Sequence, residues 1–69
     1  MNIEAIGSAI SKRRIALGVD QRDLSEIAGI SVHTLSNIEA GKGNPCLKTI
    51  DRVLNALGME FRVQVKPQE

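Results

Sequence analysis

The sequence predicts an all-α fold of four to five helices ending in one short β-strand, and three observations carry that expectation. The stretch from Asp20 to Gly41, DQRDLSEIAGISVHTLSNIEAG, holds two helix-capping residues, Asp20 and Ser31, eleven positions apart with Gly29 between them. Apolar residues recur at helical spacing both before and after that stretch. The chain then changes to a two-residue alternation of apolar and polar positions. Sixty-nine residues allow one domain with a modest core, close to the size at which self-association commonly adds stability. One Phe and no Trp or Tyr make that core aliphatic.

A first helix is expected from about Ile3 to Leu17, with Asn2 as its cap, Ile3, Ile6, Ile10 and Leu17 as its apolar stripe and Gly18 as its stop. Arg14 interrupts the stripe, where a lone charge is costly. A second helix follows from Gln21 to Ala28 behind Asp20, with Leu24, Ile27 and Ala28 on its inner side and Val19 able to staple Leu24. Gly29 sits where the chain reverses, and a left-handed conformation costs glycine little.

The third helix, Val32 to Ala40, is capped by Ser31, and Ile30 can staple Leu35. At 3.6 residues per turn Leu35 and Ile38 point inward, while Val32, His33, Ser36, Asn37 and Ala40 point outward. That outer face is uncharged and rich in hydrogen-bonding groups, unlike a solvated face of Lys and Glu; it is suited to reading something. Glu39 stands on the inner side and meets the same difficulty as Arg14, so the two are expected to pair, the alternative being that both snorkel to water. Residues 41–45 form a loop, after which either Asn44 or Cys46 caps a fourth helix whose apolar face is Leu47, Ile50, Val53, Leu54 and Leu57 and whose end is Gly58.

Met59, Phe61, Val63 and Val65 alternate with Glu60, Arg62, Gln64 and Lys66, the repeat of a half-buried strand. With no second strand-like segment in the chain, the expected partner is the same strand of another copy, and a frayed tail is the alternative. The organisation expected is residues 1–58 as the helical domain, 59–66 as a dimerising strand and 67–69 as a tail.

The run Gln21, Leu24, Gly29, Ile30, Ser31, Leu35, Ser36, Ile38, Glu39, Gly41, Lys42 and Pro45 resembles the helix-turn-helix of the lambda Cro/repressor, or Xre, family. Ile6, Gly7, Ile10, Arg14 and Gly18 look like that family's first helix, and residues 47–58 like its fourth; Cys46 departs from it by standing where Ser or Thr is usual. The resemblance implies a lambda-repressor-like DNA-binding domain with an Arg14–Glu39 ion pair. It also implies base contacts from Val32, His33, Ser36 and Asn37 of the third helix, and a homodimer on an inverted repeat of double-stranded DNA. Phosphate contacts are expected from Gln21, at the start of the second helix where the helix dipole favours an anion, and from Ser31, Thr34, Lys42 and Asn44, with Arg22 and Lys12 as secondary candidates. The strand-like ending resembles the HipB-like antitoxin branch, which implies a HipA-like toxin kinase as a second partner.

Net charge is only +1, so a nucleic-acid partner depends on where the cations cluster rather than on their sum. One Cys leaves no internal disulfide, which suits a reducing cytoplasm. No apolar run reaches the roughly 18 residues of a membrane span, and no signal-peptide pattern opens the chain. There is no phosphate-cradling glycine motif, no metal cluster and no nucleophile with an evident base, so neither an enzyme nor a cofactor is expected. The expected function is a sequence-specific transcriptional regulator, a repressor in the simplest form; the competing class is a protein-interaction module that kept the fold and lost DNA binding.

Overall fold

The computed structural model describes residues 2–68, and four helices account for most of them: α1 (Ile3–Ala16), α2 (Gln21–Ala28), α3 (Val32–Glu39) and α4 (Leu47–Ala56). Three of the helices start on a side-chain cap. Asn2 accepts from the backbone N–H of Glu4 and Ala5, Asp20 from Asp23 at 2.8 Å, and Ser31 from Thr34 at 3.0 Å. The start of α4 differs: Cys46 occupies the cap position without a side-chain cap bond. Its Sγ lies 3.1 Å from the Thr49 hydroxyl, and that hydrogen bond draws the thiol below its usual range.

Between α2 and α3 the chain turns on Gly29 at φ 73°, in the left-handed region, and the Ile30 N–H returns to the Ser25 carbonyl at 3.0 Å. The turn is tight because Ser31 already caps the next helix. Ile10, Leu24, Ala28, Leu35, Ile38, Ile50, Val53, Leu54 and Leu57 form one aliphatic core, with Val19 and Ile30, flanking the two caps, packed against its edge. No described helix is long and apolar enough to cross a membrane.

Three expectations need correction. Ile27 is not on the inner side of α2 but 67 % exposed, and Ser25 is buried instead, its hydroxyl donating to the Arg22 carbonyl at 2.7 Å. Leu24, Ser25 and Ala28 form one stripe, from which position 27 is rotated by roughly 100°; the small side chains of Ser25 and Ala28 let α2 pack closely. The ends of two apolar stripes also lie outside the core, Leu17 at 47 % and Leu47 at 55 % exposure.

The third correction concerns the ending. No strand is present among the described residues, so Met59, Phe61, Val63 and Val65 are not a strand that pairs with another copy. Met59 and Phe61 are half-buried against the core, whereas Val63 and Val65 are 90 % and 91 % exposed. The last backbone donor of the described chain with a backbone acceptor is Met59, bonded to Leu54 as part of the end of α4. Side-chain alternation favours an extended shape, but a ladder needs a neighbour for its N–H and C=O groups. The described residues offer none, and two apolar anchors, Met59 and Phe61, hold the segment instead.

Candidate nucleic-acid interface

The position of α3 is set from its inner side. Leu35 and Ile38 are buried at 0 % and 2 % exposure, which turns Val32, His33, Ser36 and Ala40 to the surface and leaves Asn37 half-buried. The backbone of α1 approaches the C-terminal end of α3 so closely that a Cβ on Gly7 would collide with the carbonyl oxygens of Ile38 and Glu39.

A fork of charge-assisted hydrogen bonds ties the same two helices. Arg14 Nε donates to Glu39 Oε2 at 2.8 Å and its second terminal nitrogen to Oε1 at 3.0 Å, while the first reaches the Val19 carbonyl at 2.8 Å. Gln21 Nε2 also donates to Glu39 Oε1, at 3.2 Å, so the start of α2 joins the network. Burial opposes the Glu39 charge, but the hydrogen bonds from Arg14 and Gln21, with the charge of Arg14, outweigh it and hold the carboxyl below the usual range. Glu39 in turn raises Arg14 further, chiefly through the hydrogen bond between them.

The outward face of α3 carries no charge. Val32 is 41 % exposed, and Asn37 Nδ2 lies 3.3 Å from His33 Nε2, one helical turn away. Beside this face Thr34, Asn37, Ile38, Lys42, Gly43, Asn44 and Pro45 line a hollow of about 200 Å³. Three of the polar groups with phosphate-binding chemistry, Thr34, Lys42 and Asn44, therefore share one site. Ser31 is placed differently: its hydroxyl donates to Thr34 Oγ1 at 2.9 Å while capping the helix, which leaves the Thr34 proton as the free one. Gln21, Arg22 and Lys12 lie outside the hollow's lining, with Arg22 and Lys12 exposed. No described group of His, Cys, Asp and Glu could hold a metal ion.

The exposed Ile27 and the contact between His33 and Asn37 were not anticipated from the sequence. The first had a usable signal in the Leu24, Ser25, Ala28 stripe. The second had only the four-residue spacing, which many uncoupled pairs share.

Two short capped helices about a left-handed glycine, the second held by its inner side and presenting an uncharged polar outer side, define a helix-turn-helix domain. The comparisons with known proteins agree: the chain belongs to the helix-turn-helix family, whose model matches residues 10–64. It is 38 % identical over 63 residues to an uncharacterized protein of Haemophilus influenzae, a match that covers 91 % of this chain and 63 % of that one. Among solved structures it resembles the clp gene regulator ClgR of Corynebacterium glutamicum, with a TM-score of 0.80 and 32 % identity over 87 % of this chain and 64 % of the other. The restriction-modification controller protein C.AhdI of Aeromonas hydrophila matches with a TM-score of 0.78 and 26 % identity, over 84 % of this chain and 88 % of that one. The chain thus spans somewhat under two thirds of the Haemophilus relative and of ClgR.

Proposed function

We propose that the chain is a sequence-specific DNA-binding transcriptional regulator of the cytoplasm, acting as a repressor that binds an inverted repeat as a homodimer. The observation that carries this reading is the uncharged outer side of α3, with His33 and Ser36 exposed and Asn37 half-buried beside a hollow containing Thr34, Lys42 and Asn44. ClgR and C.AhdI, both named as gene regulators or controllers, support the same class.

With α3 in the major groove, Asn37 suits a bidentate contact to adenine, His33 can donate to guanine N7 or O6, Val32 offers apolar surface to a thymine methyl, and Ser36 can bond to either kind of edge. Thr34, Lys42, Asn44 and the amide of Gln21 are the phosphate contacts, with Arg22, Ser31 and Lys12 flanking them; these hold register without carrying sequence information. A two-fold pair would set two such helices ~34 Å apart. Exposed Leu47 and Val63, on either side of a hollow that also includes Phe61, are the apolar surface available for self-association without strand pairing.

An antitoxin role with a HipA-like kinase partner rested on the strand ending, and nothing else in the chain favours it. A second reading does have an observation behind it: Ile27 and Val32 are apolar and exposed in the helix-turn-helix itself, as a protein-docking module would have them. Selection of bound sites from random duplex DNA tests between the two. The regulator recovers an enriched inverted repeat, and the docking module recovers nothing above background. On the enriched site, replacing Asn37 with Ala should cost ~1–3 kcal/mol at one base position. Lys42→Ala should weaken all sequences alike and lower the salt slope by about 1 per half-site.

A further inference from the structure

We propose that Glu39 is a positioning residue for the phosphate contact at the start of α2: its carboxylate holds the Gln21 amide with the nitrogen inward, so that an oriented donor meets the DNA backbone. The proposal rests on the phosphate-binding role of Gln21 given above.

Gln21 Nε2 donates to Glu39 Oε1 at 3.2 Å, and Arg14 occupies the rest of the carboxylate, at 2.8 Å from Oε2 and 3.0 Å from Oε1. An ionised carboxylate accepts and never donates, so only the nitrogen end of the Gln21 amide can face it. One amide hydrogen is then engaged, and the second hydrogen and Oε1 are turned away from Glu39. The Glu39 side chain is only 7 % exposed, whereas Gln21 is half-buried at the first position of α2, which places those two remaining atoms on the outer side. A phosphate oxygen accepts only, so the second hydrogen is the group it can use. Without Glu39 the amide has no such restraint, because its terminal torsion is broad and roughly two-fold. The flipped amide aims Oε1 at the anion.

A carboxylate behind a phosphate site would ordinarily repel the phosphate. Here the Arg14 guanidinium is forked onto it, so the pair adds no net charge behind Gln21. Arg14 also donates to the Val19 carbonyl at 2.8 Å, and Asp20, between Val19 and Gln21, caps the helix by accepting from Asp23. The start of α2 is thereby tied to the last residue of α3. A phosphate held at Gln21 keeps a set distance from the side chains of α3 that face the bases, which is how a contact without sequence information fixes register.

The test is a mutant cycle on the selected duplex, read by anisotropy titration. Gln21→Met keeps the reach of the side chain and removes its donors; it should weaken binding roughly tenfold when Glu39 is present and less than about threefold in the Glu39→Gln background. The cation that Glu39→Gln leaves uncompensated on Arg14 acts in both backgrounds and cancels in this comparison. Equal costs of Gln21→Met in the two backgrounds, the result of a merely structural role for Glu39, would overturn the proposal. In the free protein, nitrogen–proton NMR should show one Gln21 side-chain amide hydrogen exchanging with solvent several-fold more slowly than the other, a difference that vanishes in Glu39→Gln. Two hydrogens that exchange alike in the wild type would overturn the proposal without any DNA, even where Glu39→Gln fails to fold. A Gln21→Met variant that binds like the wild type would overturn the phosphate role of Gln21 as well, and recovery of no preferred duplex by the wild type would overturn the DNA-binding reading beneath both.

Discussion

The α2–turn–α3 unit and the segment after Gly58 are both strongly patterned, yet one becomes regular structure and the other does not. Helical period is satisfied within the segment that carries it, since each N–H finds a carbonyl one turn back and Asp20, Gly29 and Ser31 manage the ends. Strand period specifies faces and leaves the backbone to be completed by a neighbour. Residues 59–66 have the pattern without the neighbour, so Met59 and Phe61 anchor to the core and Val63 and Val65 stay exposed. The difference teaches that an amphipathic repeat is sufficient for a helix and only conditional for a strand.

The sharpest break is in the core beneath α3. Leu35→Ala should lower unfolding free energy by ~3 kcal/mol, within the usual range for buried leucine, as measured by denaturant titration. Removing the cation from the ion pair comes next. Arg14→Met leaves Glu39 beneath the protein surface without its main partner; with side chains 14 % and 7 % exposed, the loss should be about 2 kcal/mol, less than for a fully buried pair.

The same pair gives the pH dependence. Because Glu39 sits below its unfolded value of about 4.3, its stabilisation is complete above that value and is lost as pH falls through the lower folded value. Glu39→Gln should therefore flatten the acid limb of stability against pH, and an acid limb identical to wild type would contradict the assignment. A smaller effect tests the one start that lacks a side-chain cap bond: Cys46→Ser should raise Tm by about 3–6 °C. The smallest effect belongs to the ending, where Val65→Ala should change stability by less than about 0.5 kcal/mol. A loss at Val65 as large as that at Leu35 would reverse the contrast between the two regions.

What could be read from the sequence follows the same division. Caps and left-handed glycines depend on residues within one turn, so Asn2, Asp20, Gly29 and Ser31 announce their roles locally. The choice between Asn44 and Cys46 was not local, because both can precede a helix and packing decides. At Ile27 hydrophobicity and helical angle disagree, and angle decides: a serine with its own backbone acceptor takes the buried position. For the interface, the side chains standing outside α3 follow from its period. The contact between His33 and Asn37 depends on rotamers, which spacing does not fix.

The bare backbone at Gly7 has a wider consequence. Where α1 meets the carbonyls of Ile38 and Glu39, the close approach of α3 depends on an absence of side chain that no other amino acid can supply. The exposed residues of the same segment have no part in that contact. Substitutions on the outward side of α3 can therefore accumulate while the backbone contact on its other side stays unaltered, so a new surface needs no new architecture.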